Sequence, residues 1–246
     1  MITWSMRNLV AGAAAVAVLG FGLTPPADAL LQGISDCNGH VVTGHAVLTR
    51  DLDCTGSTNV IANLEKGRLD LNGHTLVTGT NWGVFCGYSC KVIGPGTITG
   101  NGNGIGTTRA LSVKDVTVSV TGGIGVASGG GKLTLDGVTI TGPVVGAVAG
   151  LNGKIVDSTI NASAAGVLTG LLYPGGLQCA YGSLIVRRSS IGGTSLAACD
   201  GSGPEAHCGD IVSCKKPKLS ATTCTTSCQT GVAGPCTATW GVCSGD

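Results

Sequence analysis

Residues 68–100 read RLDLNGHTLVTGTNWGVFCGYSCKVIGPGTITG and say nearly the same thing twice, LDLNGHTL around Thr75 and VIGPGTI around Thr97. Setting the threonine of each such phrase in one column gives Thr75, Thr97, Thr117, Thr139, Thr159 and then Ser190, at intervals of 22, 20, 22, 20 and 31 residues. A recurrence of this length is the signature of stacked coils. The phrases RLDLNGHTL, CKVIGPGTI, LSVKDVTV, LTLDGVTI, GKIVDSTI and IVRRSSI share one form. Apolar and polar residues alternate, a turn follows (Asn72-Gly73, Gly94-Pro95, Lys114-Asp115, Asp136-Gly137, Val156-Asp157, Arg187-Arg188), and alternation resumes. Each phrase is therefore two short strands around a corner.

A second column fixes the register. Val84, Ile105, Val126, Val148 and Val167 recur at intervals of 21, 21, 22 and 19, mostly preceded by Gly, and supply a third strand per repeat. Each repeat is then a triangular coil whose strands hydrogen-bond to their copies above and below at about 4.8 Å. Leu71, Ile93, Val113, Leu135, Ile155 and Val186 are expected to form one inward ladder, and Leu76, Ile98, Val118, Ile140, Ile160 and Ile191 another. Helices lack this period and do not tolerate 43 Gly, and a β-sandwich has no reason to hold a constant register.

On these phrases the chain resembles a right-handed parallel β-helix of the pectate-lyase-like architecture; LDLNGHTL and VIGPGTITG are similar to the opening coils of secreted bacterial β-helix proteins. The resemblance covers roughly residues 34–195. It implies an all-β, right-handed solenoid of about seven coils, the hand resting on the likeness and on general chirality. It does not imply an activity, because one fold hosts many. The expected organisation is a signal peptide over 1–29, the parallel β-helix over 30–195 and a disulfide-rich cap over 196–246. The cap follows from the need to cover an open strand edge. Residues 41–54 are expected as the first coil, with Cys37 and Cys54 bracketing it.

The expected leader has Arg7, an uncharged apolar run over 9–23, and small residues at Ala27 and Ala29. That run is shorter than the roughly 20 residues needed to cross a bilayer, so no membrane span is expected and the mature chain should be secreted, extracellular or periplasmic. Without residues 1–29 the chain keeps 13 basic and 12 acidic side chains. Near-neutrality argues against nucleic acid as partner, since that binding is mostly phosphate neutralisation. Twelve cysteines in an exported chain read as disulfides. The C-x-x-x-C spacings Cys86/Cys90 and Cys224/Cys228 also suit zinc, but no His-rich pattern accompanies them.

Three places carry possible chemistry. Asp115 and Asp157 fall in one turn column two coils apart, with Asp136 one residue off on the coil between and Arg187 and Arg188 beside them. Pectate lyases of the resembled architecture hold calcium on aspartates and use a basic residue as proton acceptor. Calcium is thus expected only if this corner is a lyase site, and otherwise no cofactor or metal. An acid pair about 6.5 to 9.5 Å apart would alternatively suit inverting glycoside hydrolysis. The bland reading is ordinary turn chemistry, and the polygalacturonase-type signatures N-T-D, D-D, G-H-G and R-I-K are absent. Second, Tyr88, Arg109, Tyr173 and Tyr181 sit in the loops after the Gly-Val strands, where a sugar-binding groove would lie. Third, Thr97-x-Thr99, Thr117-x-Ser119, Thr139-x-Thr141 and Thr159-x-Asn161 form a two-file hydroxyl array resembling the T-x-T faces of β-solenoid antifreeze proteins, although Thr also simply suits exposed strands. The expectation is a monomeric, non-catalytic extracellular binding or surface protein with a carbohydrate polymer as ligand. The alternatives are a polysaccharide lyase or hydrolase at the aspartate corner, and ice binding through the Thr file.

Overall fold

The computed structural model describes residues 31–57, 62–173, 176–178, 182–193, 209–230 and 236–246. The expected leader lies outside the described residues. Among them there is no helix, and the chain winds as a parallel β-solenoid of three faces. The first face stacks Cys90–Ile93, Leu111–Lys114, Lys132–Asp136, Asn152–Val156, Leu184–Arg187 and Lys218–Ser220. The second is a seven-stranded sheet running from Leu52–Asp53 to Ser190–Gly192. The third stacks Trp82–Cys86, Asn103–Thr107, Ile124–Ser128, Val145–Ala149, Ala165–Thr169, Gly209–Ser213 and Ser227–Thr230. In the opening coils the long strands His40–Leu48 and Ala62–Asp70 run through the corner between the third and first faces, and so join them into one sheet.

Strand alternation decides what is inside. On the second face Leu76, Ile98, Val118, Ile140, Ile160 and Ile191 lie in register and are buried, as their spacing requires. The other two inward ladders each depart from expectation. On the first face the residues level with Val113, Leu135, Ile155 and Val186 are Leu69 and Val92, not Leu71 and Ile93. The corner is the cause: four residues separate Val113 from Thr117, but five separate Val92 from Thr97 and six separate Leu69 from Thr75. Ile93 therefore falls in the outward file with Asp70 and Lys114. On the third face the register runs Ala62, Val84, Ile105, Val126, Ala147, Val167, Ile211. Val148 points the other way and joins Leu168 and Val212 in an apolar cluster outside the barrel of coils.

The Cys-rich segment adds to the same ladders. Gly209–Ser213 pairs with Ala165–Thr169, and Lys218–Ser220 with Leu184–Arg187, both parallel. The pairing of Ser227–Thr230 with Cys236–Ala238 is antiparallel and ends the parallel run. Cys37 is bonded to Cys54, Cys86 to Cys90 and Cys224 to Cys243. Cys214 and Cys228 are also in disulfides, so the Cys224/Cys228 spacing does not mark a local pair. Such bonds are the chemistry of an oxidising compartment. Among the described residues no helix is long and apolar enough to cross a membrane.

Candidate functional site

Alternation on the first face turns one file of side chains outward: His45, Arg68, Lys91, Ser112, Thr134, Lys154, Ile185 and Lys218, each level with the next. A neighbouring file carries Asp70, Ile93, Lys114, Asp136, Val156, Arg187 and Ser220. Lys66 and Lys132 stand where the third face turns into the first. The strands of this face from Ala62–Asp70 to Lys218–Ser220 thus hold eight basic residues against three acidic ones, Glu65, Asp70 and Asp136. Among the described residues the strands of the other two faces hold no Lys or Arg. Overall near-neutrality therefore conceals a cationic face. The counting of charges over the whole chain missed it; laying the lysines on the coil register would have found it.

Over this face lies an open trough of about 560 Å³, lined by Gly67, Arg68, Lys91, Ser112, Lys132 and Thr134 among others. The Cys86–Cys90 disulfide pins the corner loop at its rim. Tyr88 stands 57% exposed on that loop, and the Arg109 guanidinium of the next coil lies over its ring, 5.4 Å from the centroid. The hydroxyls of Thr107 and Thr108 donate to the backbone carbonyls of Tyr88 and Gly87 and tie the two corners together. Two of the four expected groove residues are thus brought into contact. The backbone of Tyr173 lies in the hairpin Leu171–Tyr173 with Gly176–Gln178; its side chain and Tyr181 lie outside the described residues.

The aspartate corner is a turn ladder. Asp115, Gly137, Asp157 and Arg188 occupy successive coils of one file, each N–H donating to the carbonyl of the next coil's preceding residue, and all four have positive φ. Asp136 belongs to the adjoining file, level with Lys114. The Arg188 guanidinium donates two hydrogen bonds to Asp157, at 2.6 and 2.7 Å. These bonds hold the Asp157 carboxyl below the ordinary aspartate value, with desolvation opposing them and the Arg188 charge adding to them. A carboxyl depressed on folding contributes stability above its unfolded pKa, and that contribution is lost as pH falls through the folded value. Both groups are exposed, so the contribution is small. Arg187 lies one residue away, in the neighbouring file of the first face with Asp136 and Val156. Among the described residues no three His, Cys, Asp or Glu side chains gather as a cation site.

Two other surfaces stand out. On the second face Thr75, Thr97, Thr117, Thr139, Thr159 and Ser190 form one outward file, which an isolated bridge extends to Thr223. On the third face Trp82, Phe85, Ile124, Ala127 and Val148 line a depression of about 440 Å³. The Trp82 ring covers Gly106 there and sits 6.2 Å from Phe85. Sequence reasoning passed over Trp82 and Phe85, although both lie in the quoted repeat.

The fold and this surface define an all-β parallel solenoid with chemically distinct outer faces. Comparison with known proteins finds no matching family model, no matching curated protein and no matching solved structure.

Proposed function

We propose that the protein is a non-catalytic binding protein of the extracellular space that holds an extended carbohydrate polymer along the first face of its solenoid. The trough carries this reading. Its donors and acceptors recur on successive coils about 4.8 Å apart, so a chain of repeating units meets repeating partners. Its floor is sheet whose backbone groups are already paired between coils. A peptide therefore has no free edge to join there by strand addition, whereas a polyhydroxylated chain needs only side chains. Disulfides support the extracellular placement. Binding is favoured over chemistry because Asp157 is already committed to Arg188. The test is a glycan array that also records product release. Extended glycans should be retained intact, and Tyr88→Ala should weaken retention roughly tenfold, the loss of one exposed aromatic contact. A blank array, or released fragments, overturns the reading.

A second reading rests on the second face, where a file of hydroxyls runs unbroken from Thr75 to Ser190 and on to Thr223 beside Thr99, Ser119 and Thr141. A regular file of hydroxyls of this kind suits ice. Shaping of ice crystals that is abolished by Thr117→Tyr would establish it, and shaping that survives the substitution would dispose of it.

A further inference from the structure

We infer that the polymer is polyanionic, a glycan carrying a carboxylate or sulfate on its repeating unit, held by the ladder of cations along the first face. The inference rests on the binding reading above and names the chemistry of its ligand. Among the described residues every strand of the face from Ala62–Asp70 to Lys218–Ser220 carries a Lys or Arg, while those of the other two faces carry none. From Arg68 to Lys218 the outward file climbs six coils, about 29 Å at 4.8 Å per coil.

This arrangement opposes the folded state. Arg68 and Lys91 are directly level on adjacent coils, and like charges so placed repel. A surface shaped only for solubility intersperses the two signs. Here the compensation is sparse: Arg68 binds Asp70 at 2.8 Å and Lys114 lies 4.0 Å from Asp115. Among the described residues Lys66, Lys91, Lys132, Lys154, Arg187 and Lys218 make no ion pair. A polyanion laid along the file supplies countercharge at Arg68, Lys91, Lys154 and Lys218 and relieves the repulsion between Arg68 and Lys91.

The cations themselves choose between polyanions. Most are lysines, hydrated point charges on flexible stems, rather than the planar fork that arginine offers phosphate. The outward file from His45 to Lys218 contains no Phe, Tyr or Trp, so bases have no succession of rings on which to stack, as single-stranded nucleic acid requires. The aromatic at the rim, Tyr88, is a single exposed ring, enough for one contact but not for a succession of stacked bases. A chain of sugar acids or sulfated sugars matches this face better than a nucleic acid does.

The experiment measures binding of the full chain to polygalacturonate, a heparin-type sulfated glycan, a neutral β-glucan and a DNA duplex, at low and at physiological salt. One or both acidic glycans should bind, should weaken severalfold as salt shortens the screening length to about 8 Å, and should lose roughly tenfold with Lys91→Glu and again with Lys154→Glu. Lys91→Gln should lose less than Lys91→Glu, which separates charge from any disturbance of folding. Neutral glucan bound as tightly as the acidic glycans, without salt dependence, overturns the inference and leaves the binding reading standing. Binding to none of the glycans overturns both. DNA bound more tightly than either acidic glycan overturns the assignment to a glycan.

Discussion

At the scale of the residue, the Gly that precedes each third-face core position has a steric reason. Gly83, Gly104, Gly125, Gly146 and Gly166 form a file, and a Cβ on any of them would strike its surroundings. At Gly146 it would lie 2.3 Å from Ile160 Cγ2 and 2.5 Å from the Gly166 carbonyl; at Gly125, 2.6 Å from both Ile140 Cγ2 and the Gly146 carbonyl. The second-face isoleucines fill the space that the absent side chains leave, so the two ladders are packed through the glycines. Gly146→Ala should therefore destabilise the protein by about 1–3 kcal/mol, the cost of overpacking against backbone that cannot yield. Gly87→Ala, which meets nothing within 4 Å, should stay within about 0.5 kcal/mol of the parent. Denaturant midpoints of the two variants check this, and equal midpoints would refute it.

At the scale of the element, the strands were legible in the sequence and the corners only partly so. The period of the Thr column placed the second face correctly because its inward residue immediately follows the threonine, with no corner between them to miscount. The first face lies on the other side of a corner of variable length, and a fixed count back from Thr75 and Thr97 chose Leu71 and Ile93 in place of Leu69 and Val92. At Val148 the misreading was of composition: in GAVAG the inward residue is the small Ala147, and the larger Val148 drew attention though it points outward. Past Arg187 the corner insertions grow until no period survives, and Leu219, the level partner of Val186, lies 33 positions further on. Gly209–Ser213 and Lys218–Ser220 could be joined to the ladders only in three dimensions. The candidate site suffered from the opposite fault. Its tyrosine and arginine were visible as loop residues, but the lysines were averaged away in a net charge and became a site only once each coil had been placed on the last.

At the scale of the whole molecule, a stack in which each coil touches chiefly its neighbours gains stability step by step along its axis. The described disulfides modify that picture: Cys37–Cys54 closes the first coil and Cys224–Cys243 ties down the far end, so fraying from the ends is restrained where a solenoid is ordinarily weakest. The sensitive place is then the middle. Ile140 is fully buried between Val118 and Ile160 in the second-face ladder. Ile140→Ala should cost about 2–5 kcal/mol, through lost burial and the cavity left behind. Because the loss is local, opening should be local as well. Amide exchange should quicken most in Thr117–Val120, Thr139–Thr141 and Thr159–Asn161, while Leu76 near one end and Ile211 near the other keep the protection of the parent protein. Exchange that instead quickens by one common factor from Leu76 to Ile211 would show a single cooperative unit, and stability could then no longer be treated as a sum over neighbouring coils.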